Sequence, residues 1–502
     1  MQHQPIWEQT TPKPPNFPSL DRDLAVEYLI IGSGITGITT AYLLHRAGIK
    51  ATVIEGNEQI GGYDTHRTSG HLSLVTDLEF KRIIDRQGEE AAQVVAESLR
   101  AAIDQVQQIA EREGLDINFR RVPGYLYAEE EKNVSDTEDE YDATRQAGLQ
   151  AEWAEVPVPF PVAKGFKVAD NAVFHPLRYV YGLAEVLKRE GVDIYTDTRA
   201  MQLKSEDGKH KFPTSTSHSI TAEKVILATH LPAFLKTEQS TLLPSKSYVL
   251  AAKLDEEVPD ALLWDMQEPY NYARPGTLNG ETVLIVGGKD HRTGEERDTE
   301  SHYDQLERYT REHYAVREIA LRWSGQWYEP SDSLPLIGPS VSDDTIYVAS
   351  GYSGDGMVYS QVAARVLTNL ITGQSDQAAE HFKPRRFPLS TDYVKNAATM
   401  AEHYIKDWLP TDHPDVDSIE PGSGKLINHN LEKFAVYRDD SGELHAMSAK
   451  CTHMGCVVQW NNAEQTWDCP CHGGQFSCKG EALRSPVTKP LAQKQVSKIV
   501  DK

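Results

Sequence analysis

The cysteines constrain this chain most strongly, because all five lie after residue 450 of a 502-residue sequence. One of them stands in the pattern Cys451-x-His453, and after fifteen residues a second pattern follows as Cys469-x-x-His472. Thiolate sulfur and neutral imidazole nitrogen are both transition-metal ligands. A zinc ribbon or scattered buried thiols are the alternatives, but zinc sites favour paired Cys-x-x-Cys knuckles. The spacing therefore predicts a metal centre held by two Cys and two His.

This ligand spacing is that of a Rieske [2Fe–2S] centre, in which two His replace two Cys on one iron. Neutral imidazoles remove negative charge from that iron and make the cluster easier to reduce. Of the three remaining cysteines, Cys456 and Cys471 each follow closely after a ligand. The stretch resembles the Rieske proteins of respiratory cytochrome complexes, and the resemblance implies a disulfide between Cys456 and Cys471 that joins the two cluster loops.

The second cluster loop departs from the high-potential members of that family. Those proteins usually carry Ser after the final His-Gly and Tyr two residues further on, and both hydroxyls donate to cluster sulfurs. This chain has Gly474 and Phe476 there. Fewer donors near a negatively charged cluster disfavour its reduction. We therefore expect a potential in the lower half of the ~−150 to +300 mV Rieske range.

Charge and composition exclude some partners. The chain has 51 basic and 74 acidic residues, for a formal charge of −23, with 39% hydrophobic and 25% charged residues. Such an acidic surface repels nucleic acid and anionic lipid. It would attract a basic electron carrier, although simple solubility explains the charge equally well. The length suggests two to four domains.

The cysteine distribution also bears on the compartment. The first 450 residues contain no cysteine, so they hold no disulfide, no thiolate nucleophile and no cysteinyl flavin link. This fits a reducing compartment with one shielded disulfide. Residues 1–20 lack the pattern of a signal peptide, and the apolar run at 28–44 is too rich in glycine and threonine for a membrane span. We expect a cytoplasmic protein without a membrane span.

A second motif lies near the start of the chain. Val26–Ile31 predicts a buried parallel strand, Ile38–Ala47 a helix and Ala51–Ile54 a second strand that ends at Glu55. Between the first strand and the helix stands G-x-G-x-x-G, formed by Gly32, Ser33, Gly34, Ile35, Thr36 and Gly37. In this setting the glycines allow a tight turn, close approach to a pyrophosphate and close helix packing. Glu55 would bind ribose hydroxyls and disfavour NADP.

The residues after Glu55 indicate which dinucleotide. Gly61-Gly62 resembles the FAD signature of the glycine oxidase and D-amino-acid dehydrogenase superfamily, and Ser69, Gly70 and His71 stand where that superfamily runs its chain past the flavin. His71 could contact the flavin, link to it covalently, or be an ordinary loop histidine. No second G-x-G-x-x-G follows a strand. NAD(P)H is therefore not expected as a substrate.

Two later segments match the same superfamily. The strand Lys224–Thr229 would return the chain to the cofactor at Thr229, with His230 where glycine is more usual. After the strand that begins at Ile346, a glycine-rich turn resembles the loop whose backbone N–H groups face the pyrimidine end of the flavin and stabilise its anionic reduced form. The residues of that turn are Gly351, Gly354, Asp355, Gly356 and Met357.

Candidates for catalysis lie mostly in the middle of the chain. In the superfamily, strand pairs in the region of residues 236–330 cover the open face of the flavin. Arg274, His291 and Arg292 are the candidates there for binding a carboxylate or moving a proton, and Tyr352 of the glycine-rich turn is the fourth. A surface hairpin with ordinary ion pairs would explain the first three as well.

These features predict an α/β FAD-binding dinucleotide fold with an inserted α+β substrate domain, followed by a small all-β Rieske domain. The expected divisions are a tail at 1–20, the oxidoreductase at 21–375 with its substrate or cap part at about 236–330, a helical and proline-rich linker at 376–421, and the Rieske domain at 422–502. The linker helix is expected at Ser390–Trp408.

The chain thus resembles a fusion of a flavoprotein dehydrogenase with a Rieske domain. The expected function is oxidation of a small amine or amino acid by hydride transfer to FAD, with electrons leaving singly through the [2Fe–2S] cluster to an external acceptor. The alternatives are an electron-transfer or redox-sensing module and a component of a Rieske-type oxygenase system. An oxygenase needs a mononuclear iron held by two His and a carboxylate, and we find no such pattern.

Overall fold

The computed structural model of the protein describes residues 2–75, 77–386, 416–429 and 432–496. The predicted linker helix at Ser390–Trp408 lies outside these residues. None of the helices within the described ranges is long and apolar enough to cross a membrane.

A mostly parallel sheet, here called the dinucleotide sheet, follows the predicted strand–turn–helix motif. Leu24–Ile31 lies at its centre, paired in parallel with Ala51–Ile54 on one side and Ser219–Leu227 on the other. Its strands, in spatial order, are Leu336–Pro339, Ile346–Ser350, Ser219–Leu227, Leu24–Ile31, Ala51–Ile54 and Ile194–Tyr195, with Lys204–Glu206 and Lys209–Pro213 added at Ser219–Leu227. Strands buried on both faces need long apolar runs, as these have. The predicted fold class is confirmed.

Two helices that pack on this sheet adjoin glycines. Ile35–Arg46 follows the glycine turn directly and packs against Gly356–Thr372, which ends at Gly373 in the left-handed conformation. The helices are Ile6–Thr10, Ile35–Arg46, Phe80–Gln87, Glu89–Glu113, Val134–Gln146, Pro176–Arg189, Lys236–Gln239, Glu300–His313, Gly356–Thr372 and Gln377–Phe382, with 3₁₀ turns at Thr65–Arg67, Glu131–Asn133, Pro384–Arg386 and Val416–Ser418.

A second, mixed sheet forms the cap over the dinucleotide sheet and is called the cap sheet. In order its strands are Gln2–His3, Val316–Pro330, Leu242–Leu254, Glu281–Arg292, Asn271–Leu278, Leu262–Asp265, Arg120–Ala128, Lys164–Val173 and His71–Leu72, with Ala151–Trp153 beside Lys164–Val173. The central antiparallel strands come from the range 236–330. The sheet also takes strands from earlier parts of the chain, so the cap is larger than that range.

The N-terminal residues are packed onto this sheet. Gln2–His3 pairs in parallel with Val316–Pro330, and Trp7 is buried with its indole N–H donating to Thr68 O at 2.6 Å. The described part of the N-terminal segment, from residue 2, therefore packs against the oxidoreductase.

The C-terminal unit consists of two small antiparallel sheets. The strands of the first are Ser423–His429, Glu432–Arg438, Leu444–Ser448 and Gln493–Lys494, and those of the second are Gln459–Asn461, Thr466–Asp468, Gln475–Ser477 and Ala482–Arg484. Trp467 and Phe476 are fully buried between them and the cluster loops. This is the small all-β domain that the sequence predicts.

Candidate redox centres and the cleft between them

The four predicted cluster ligands lie together at the tip of the C-terminal unit. Cys451 and Cys469 are buried and their thiols are hydrogen-bonded, while the rings of His453 and His472 lie at right angles with centroids 4.9 Å apart. Each loop is closed by its own backbone, with Gly455 N–H donating to Cys451 O and Gly473 N–H to Cys469 O. The glycines allow this tight closure because both have positive φ.

The chemistry of this donor set fits a [2Fe–2S] cluster. The buried Nδ1 of His472 has no hydrogen-bond partner among the described residues. Burial lowers the pKa of His453 to about 4 and that of His472 to about 3, so both imidazoles are neutral at pH 7 and able to ligate iron. The pKa of the Cys451 thiol is lowered by its hydrogen bond to Cys469. Two sulfur and two neutral nitrogen ligands result, as a Rieske centre requires.

The predicted disulfide is confirmed. Cys456 and Cys471 are bonded and join the two cluster loops. Their sulfurs lie within 4.8 Å of the Cys469 sulfur, but once oxidised they are not available as thiolate ligands. Cys478 lies apart from both sets and is half-buried.

The two positions that lack hydroxyl donors are packed in apolar surroundings. A Cβ at Gly474 would come within 2.7 Å of Val487 Cγ1, and the ring of Phe476 is fully buried. The loop therefore has no space for a serine unless Val487 moves.

The glycine turn of the dinucleotide motif depends on close backbone approaches. A Cβ at Gly32 would lie 2.3 Å from Ala228 O, and one at Gly37 would lie 1.9 Å from Gly32 O. Gly34 precedes the first turn of the helix, where the Ile35 N–H is taken by Thr65 Oγ1 at 3.1 Å. These are the tight turn and helix packing expected of a dinucleotide-binding motif.

Glu55 lies at the end of its strand, where the motif requires an acid. Its Oε2 accepts from Ser33 N at 3.0 Å and Ser33 Oγ at 2.7 Å, and its Oε1 accepts from Asn57 N at 3.0 Å. Gly61 and Gly62 cross beside the turn with positive φ. The carboxylate is thus held at the mouth of a large cleft.

Most predicted cofactor residues line this cleft, here called the cofactor cleft. Ser33, Gly37 and Gly70 do not line it: the Ser33 hydroxyl donates to Glu55, Gly37 packs against the Gly32 carbonyl, and the Gly70 carbonyl accepts from Arg274. Those that do are Gly32, Gly34, Ile35, Thr36, Glu55, Gly61, Gly62, Ser69, His71, Thr229, Gly351, Gly354, Asp355, Gly356 and Met357. The cleft has the glycine turn and Glu55 at one end and the start of the helix Gly356–Thr372 at the other. This arrangement fits an extended dinucleotide such as FAD.

The predicted catalytic residues are divided by the structure. Tyr352 lines the cofactor cleft, and its buried hydroxyl has no partner among the described residues. Arg274, His291 and Arg292 do not line it, and their role in catalysis stays a prediction. Their side chains have other partners, which are the Gly70 and Pro275 carbonyls for Arg274, the Tyr248 hydroxyl for His291 and the Glu329 carboxylate for Arg292.

For His291 the reason lies in strand geometry. Successive side chains alternate across a strand, so His291 faces away from Asp290, which lines the cofactor cleft. Arg274 extends past the edge of the cleft, where its guanidinium lies 5.4 Å from the Trp7 ring. Burial lowers the pKa of Arg274 to about 9.

Sequence reasoning missed the residues of the cap sheet that do line the cofactor cleft. They are Ser247, Val249, Trp264, Tyr270, Tyr272, Asp290, Gly325, Gln326, Trp327 and Tyr328. Several stand next to the candidates in sequence, and only the strand register distinguishes them.

His230 also has a role at the cleft. It adopts φ +66°, the left-handed region that favours glycine, which is why glycine is more usual there. Its Nδ1 lies 2.9 Å from Asp64 Oδ2, and Arg484 of the C-terminal unit lies 2.7 Å from Asp64 Oδ1. Burial acts to raise the pKa of Asp64, but the charges of Arg484 and His230 outweigh it and lower the pKa below its usual value.

The cluster loop touches the wall of the cofactor cleft. Tyr328 donates its hydroxyl to the carbonyl of His472 at 3.0 Å, and Gln326 Nε2 donates to the Gly473 carbonyl at 3.0 Å. Tyr328 and Gln326 both line the cleft, as do Leu483 and Arg484 from the C-terminal unit. One side chain therefore separates a cluster ligand from the cleft.

A buried charge network also joins the two units. Lys246 of the cap sheet has a side chain only 1% exposed, and its Nζ contacts Glu464 and, at 2.9 Å, Asp468 Oδ2 of the C-terminal unit. Glu464 also accepts from Ser324, Asn461 and Gln475. Buried charges persist only when they are paired, so this network holds the C-terminal unit in one position.

Comparison with protein families matches two parts of the chain. Residues 27–370 match the FAD dependent oxidoreductase family (DAO), and residues 411–495 match the Rieske [2Fe-2S] domain. A putative Rieske 2Fe-2S iron-sulfur protein, YhfW of Bacillus subtilis, is 32% identical over 97% of this chain and 96% of its own length. An iron-sulfur subunit of the cytochrome b6-f complex of Cyanophora paradoxa is 35% identical over 19% of this chain and 39% of that protein.

Solved structures share the fold of the larger unit. Glycine oxidase from Geobacillus kaustophilus has a TM-score of 0.62 with 17% identity and covers 73% of this chain and 100% of its own. L-proline dehydrogenase from P. horikoshii has a TM-score of 0.58 with 17% identity, covering 73% and 98%.

Proposed function

Because the chain belongs to the DAO family of FAD-dependent oxidoreductases and carries a Rieske domain, we propose that it is a dehydrogenase of a small amine or amino acid, with electrons leaving singly through the cluster. The oxidoreductase domain binds FAD and the Rieske domain binds a [2Fe–2S] cluster. Bound FAD supplies two-electron hydride acceptance and one-electron release. The final acceptor is an external electron carrier, and the protein acts in the cytoplasm.

The observation that carries this proposal is the contact between the cofactor cleft and the cluster loop. The hydrogen bond from Tyr328 to the His472 carbonyl joins a cleft-lining side chain to a cluster ligand. The Lys246 network keeps this contact in place. An oxidation in the cleft therefore has a short route to an outlet that takes one electron at a time.

The residues of the cleft have distinct proposed tasks. The turn at Gly32 and Gly34 would hold the pyrophosphate, and Glu55 the ribose. Backbone N–H groups at the start of Gly356–Thr372 would face the flavin ring and favour its negative charge. The cap sheet closes the opposite side, where it excludes water and positions the substrate.

An anaerobic titration tests the proposal. Purified protein with both cofactors is mixed with a panel of amines and amino acids while flavin absorbance and the electron paramagnetic resonance of the reduced cluster are recorded. A substrate is expected to bleach the flavin and then produce the cluster signal. In Cys451→Ser, which removes a cluster ligand, the flavin should bleach without that signal.

The alternative function predicts a different result in this titration. An electron-transfer or redox-sensing module would show no bleaching with any member of the panel, yet a chemical reductant would reduce both centres. That result would reject the dehydrogenase.

A further inference from the structure

The cap-sheet side of the cofactor cleft has an aromatic lining. Trp264, Tyr270, Tyr272 and Trp327 all line it. The Tyr270 and Tyr272 rings are 5.9 Å apart, and the His71 ring lies 5.4 Å from Trp264 and 5.3 Å from Tyr272. Faces of electron-rich rings around a cavity attract organic cations. We call these four Trp and Tyr residues the aromatic wall.

A carboxylate stands within this wall. Asp290 Oδ2 accepts from the Trp327 indole N–H at 3.2 Å, while its Oδ1 is buried without a hydrogen-bond partner in the part of the chain that the structure describes. Burial and the nearby charge of Asp77 raise the pKa of Asp290 to about 7, although a Ser247 hydrogen bond acts in the opposite direction. A buried carboxyl that has one oxygen without a hydrogen-bond partner gains from a cationic partner.

The wall offers no cation to an anionic substrate. Among the cap-sheet residues that line the cleft in the described ranges, Asp290 is the only one whose side chain can ionise near pH 7, and its ionised form is negative. The arginines that line the cleft belong to other segments, and each already has a partner. Arg67 lies over the Tyr63 ring at 3.7 Å, Arg199 donates to Asn57 at 3.2 Å, and Arg484 forms an ion pair with Asp64 at 2.7 Å. A substrate carboxylate at the wall would meet aromatic faces and another carboxylate, and both repel it.

We propose that the aromatic wall and Asp290 bind the ammonium head of a small amine without a carboxylate, so that this protein is an amine dehydrogenase rather than an amino-acid dehydrogenase. The inference rests on the proposed function and narrows its substrate. It applies to primary, secondary and tertiary amines, because they have an N–H bond when protonated.

The reaction balances with Asp290 as the proton acceptor. The N–H bond of the ammonium breaks and its proton passes to Asp290 Oδ1, which returns the lone pair to nitrogen. Bound FAD would supply the acceptor for the hydride and two electrons that the α-carbon then loses, and the remaining iminium ion would be hydrolysed by water. A quaternary ammonium ion has no N–H bond, so it binds without reacting.

Because a quaternary ammonium ion binds without reacting, it allows binding at the wall to be measured separately from turnover. Tetramethylammonium is titrated by calorimetry into protein loaded with both cofactors, beside neutral tert-butanol and anionic pivalate of similar size. The cation is expected to bind at least tenfold more tightly than either. Equal affinity of the three probes, or tighter binding of pivalate, would overturn the inference.

Substitutions in the aromatic wall and at Asp290 test whether tetramethylammonium binds there. Asp290→Asn keeps the shape of the side chain and should weaken tetramethylammonium binding at least tenfold, and Tyr272→Leu should weaken it severalfold. Glu318→Gln, which removes an exposed carboxylate from the same sheet, should leave it unchanged. Flavin content and circular dichroism confirm that each variant is folded, and unaltered affinity in folded Asp290→Asn contradicts the assignment.

The affinity should depend on pH with a defined sign. Asp290 is protonated below its pKa of about 7, so tetramethylammonium should bind more tightly as pH rises through that value. Asp77 and Glu268 carry the other carboxylates that act on Asp290, while Ser247 and Trp327 face it as hydrogen-bond donors. In Asp290→Asn the pH dependence should flatten, and a profile unchanged by that substitution would exclude Asp290.

The two proposals fail in different ways. If an amino acid but no simple amine reduces the flavin and then the cluster, the substrate inference is wrong and the dehydrogenase stands. If tetramethylammonium binds at the wall but nothing in the panel reduces the flavin, the wall is a cation site and the dehydrogenase is wrong.

Discussion

Replacing Lys246 with methionine should loosen the C-terminal unit from the cap sheet. The ammonium is the cation that faces Glu464 and Asp468 in this network, and its side chain is 1% exposed. Without it two carboxylates remain buried side by side. Removing one partner of a buried pair costs about 3–5 kcal/mol.

The lower end of that range applies here. Glu464 keeps its hydrogen bonds from Ser324, Asn461 and Gln475, which compensate part of its charge. We therefore expect a loss of about 3 kcal/mol, equivalent to a roughly hundredfold shift toward the undocked state. Since the Tyr328–His472 contact depends on docking, electron transfer from flavin to cluster should slow. Reduction of the flavin by substrate should slow less than electron transfer to the cluster, because Lys246 lies outside the cofactor cleft and affects it only through Leu483 and Arg484 of the C-terminal unit.

Two measurements check this prediction. Denaturant unfolding gives the free energy, and stopped-flow absorbance gives the separate rates of flavin and cluster reduction. Lys253→Met is the matched control, since Lys253 lies on the same strand with a solvent-exposed partner, Glu318, and should cost at most about 1 kcal/mol. The double variant Lys246→Met/Glu464→Gln should recover part of the loss. If Lys246→Met matches Lys253→Met in both stability and cluster reduction, the network does not hold the units together.

Three further results are expected. Voltammetry should place the cluster potential in the lower half of the ~−150 to +300 mV Rieske range. The variant Gly474→Ser/Phe476→Tyr, with Val487→Ala to make space for the serine, should raise that potential. A wild-type potential near the top of the range would refute the role given to the missing hydroxyls. Cys456→Ser, which breaks the disulfide, should lower the free energy of unfolding by about 2–4 kcal/mol. Cys478→Ser, outside the disulfide, should change it by no more than about 0.5 kcal/mol. Equal effects of the two substitutions would contradict a stabilising disulfide. Burial acts to raise the pKa of Glu464, but the charge of Lys246 outweighs it and lowers the pKa to about 2. Docking of the C-terminal unit should therefore weaken as pH falls from about 4.3 toward 2, and small-angle scattering should show an increased radius of gyration. A constant radius would argue against this charge pairing.

What the sequence predicts well is what depends on neighbouring residues. The cluster ligands are brought together by two short loops, and the glycine turn lies within one strand–turn–helix unit, so chemistry and spacing suffice for both. Which side chains of a strand face a cleft is another matter, because it depends on register with strands distant in sequence. Asp290 and His291 are adjacent, yet they lie on opposite faces.

Aromatic residues show the same limit. Trp264, Tyr270 and Tyr272 are visible in the sequence, but an aromatic residue in a core and one in a wall look alike there. Arg484 carries no signal at all, since it reaches the cofactor cleft from the other domain, more than 400 residues after Asp64. Only the folded chain brings such residues together.

The insertion of Leu483 and Arg484 into the cofactor cleft makes the oxidising site a joint product of both domains. A chain whose iron–sulfur unit has not folded would leave Asp64 unpaired and one side of its flavin chamber open to water. Such a chain would hold substrate and flavin poorly. A complete cofactor cleft would thereby require a folded C-terminal unit, so that oxidation is favoured only once the exit for electrons is in place.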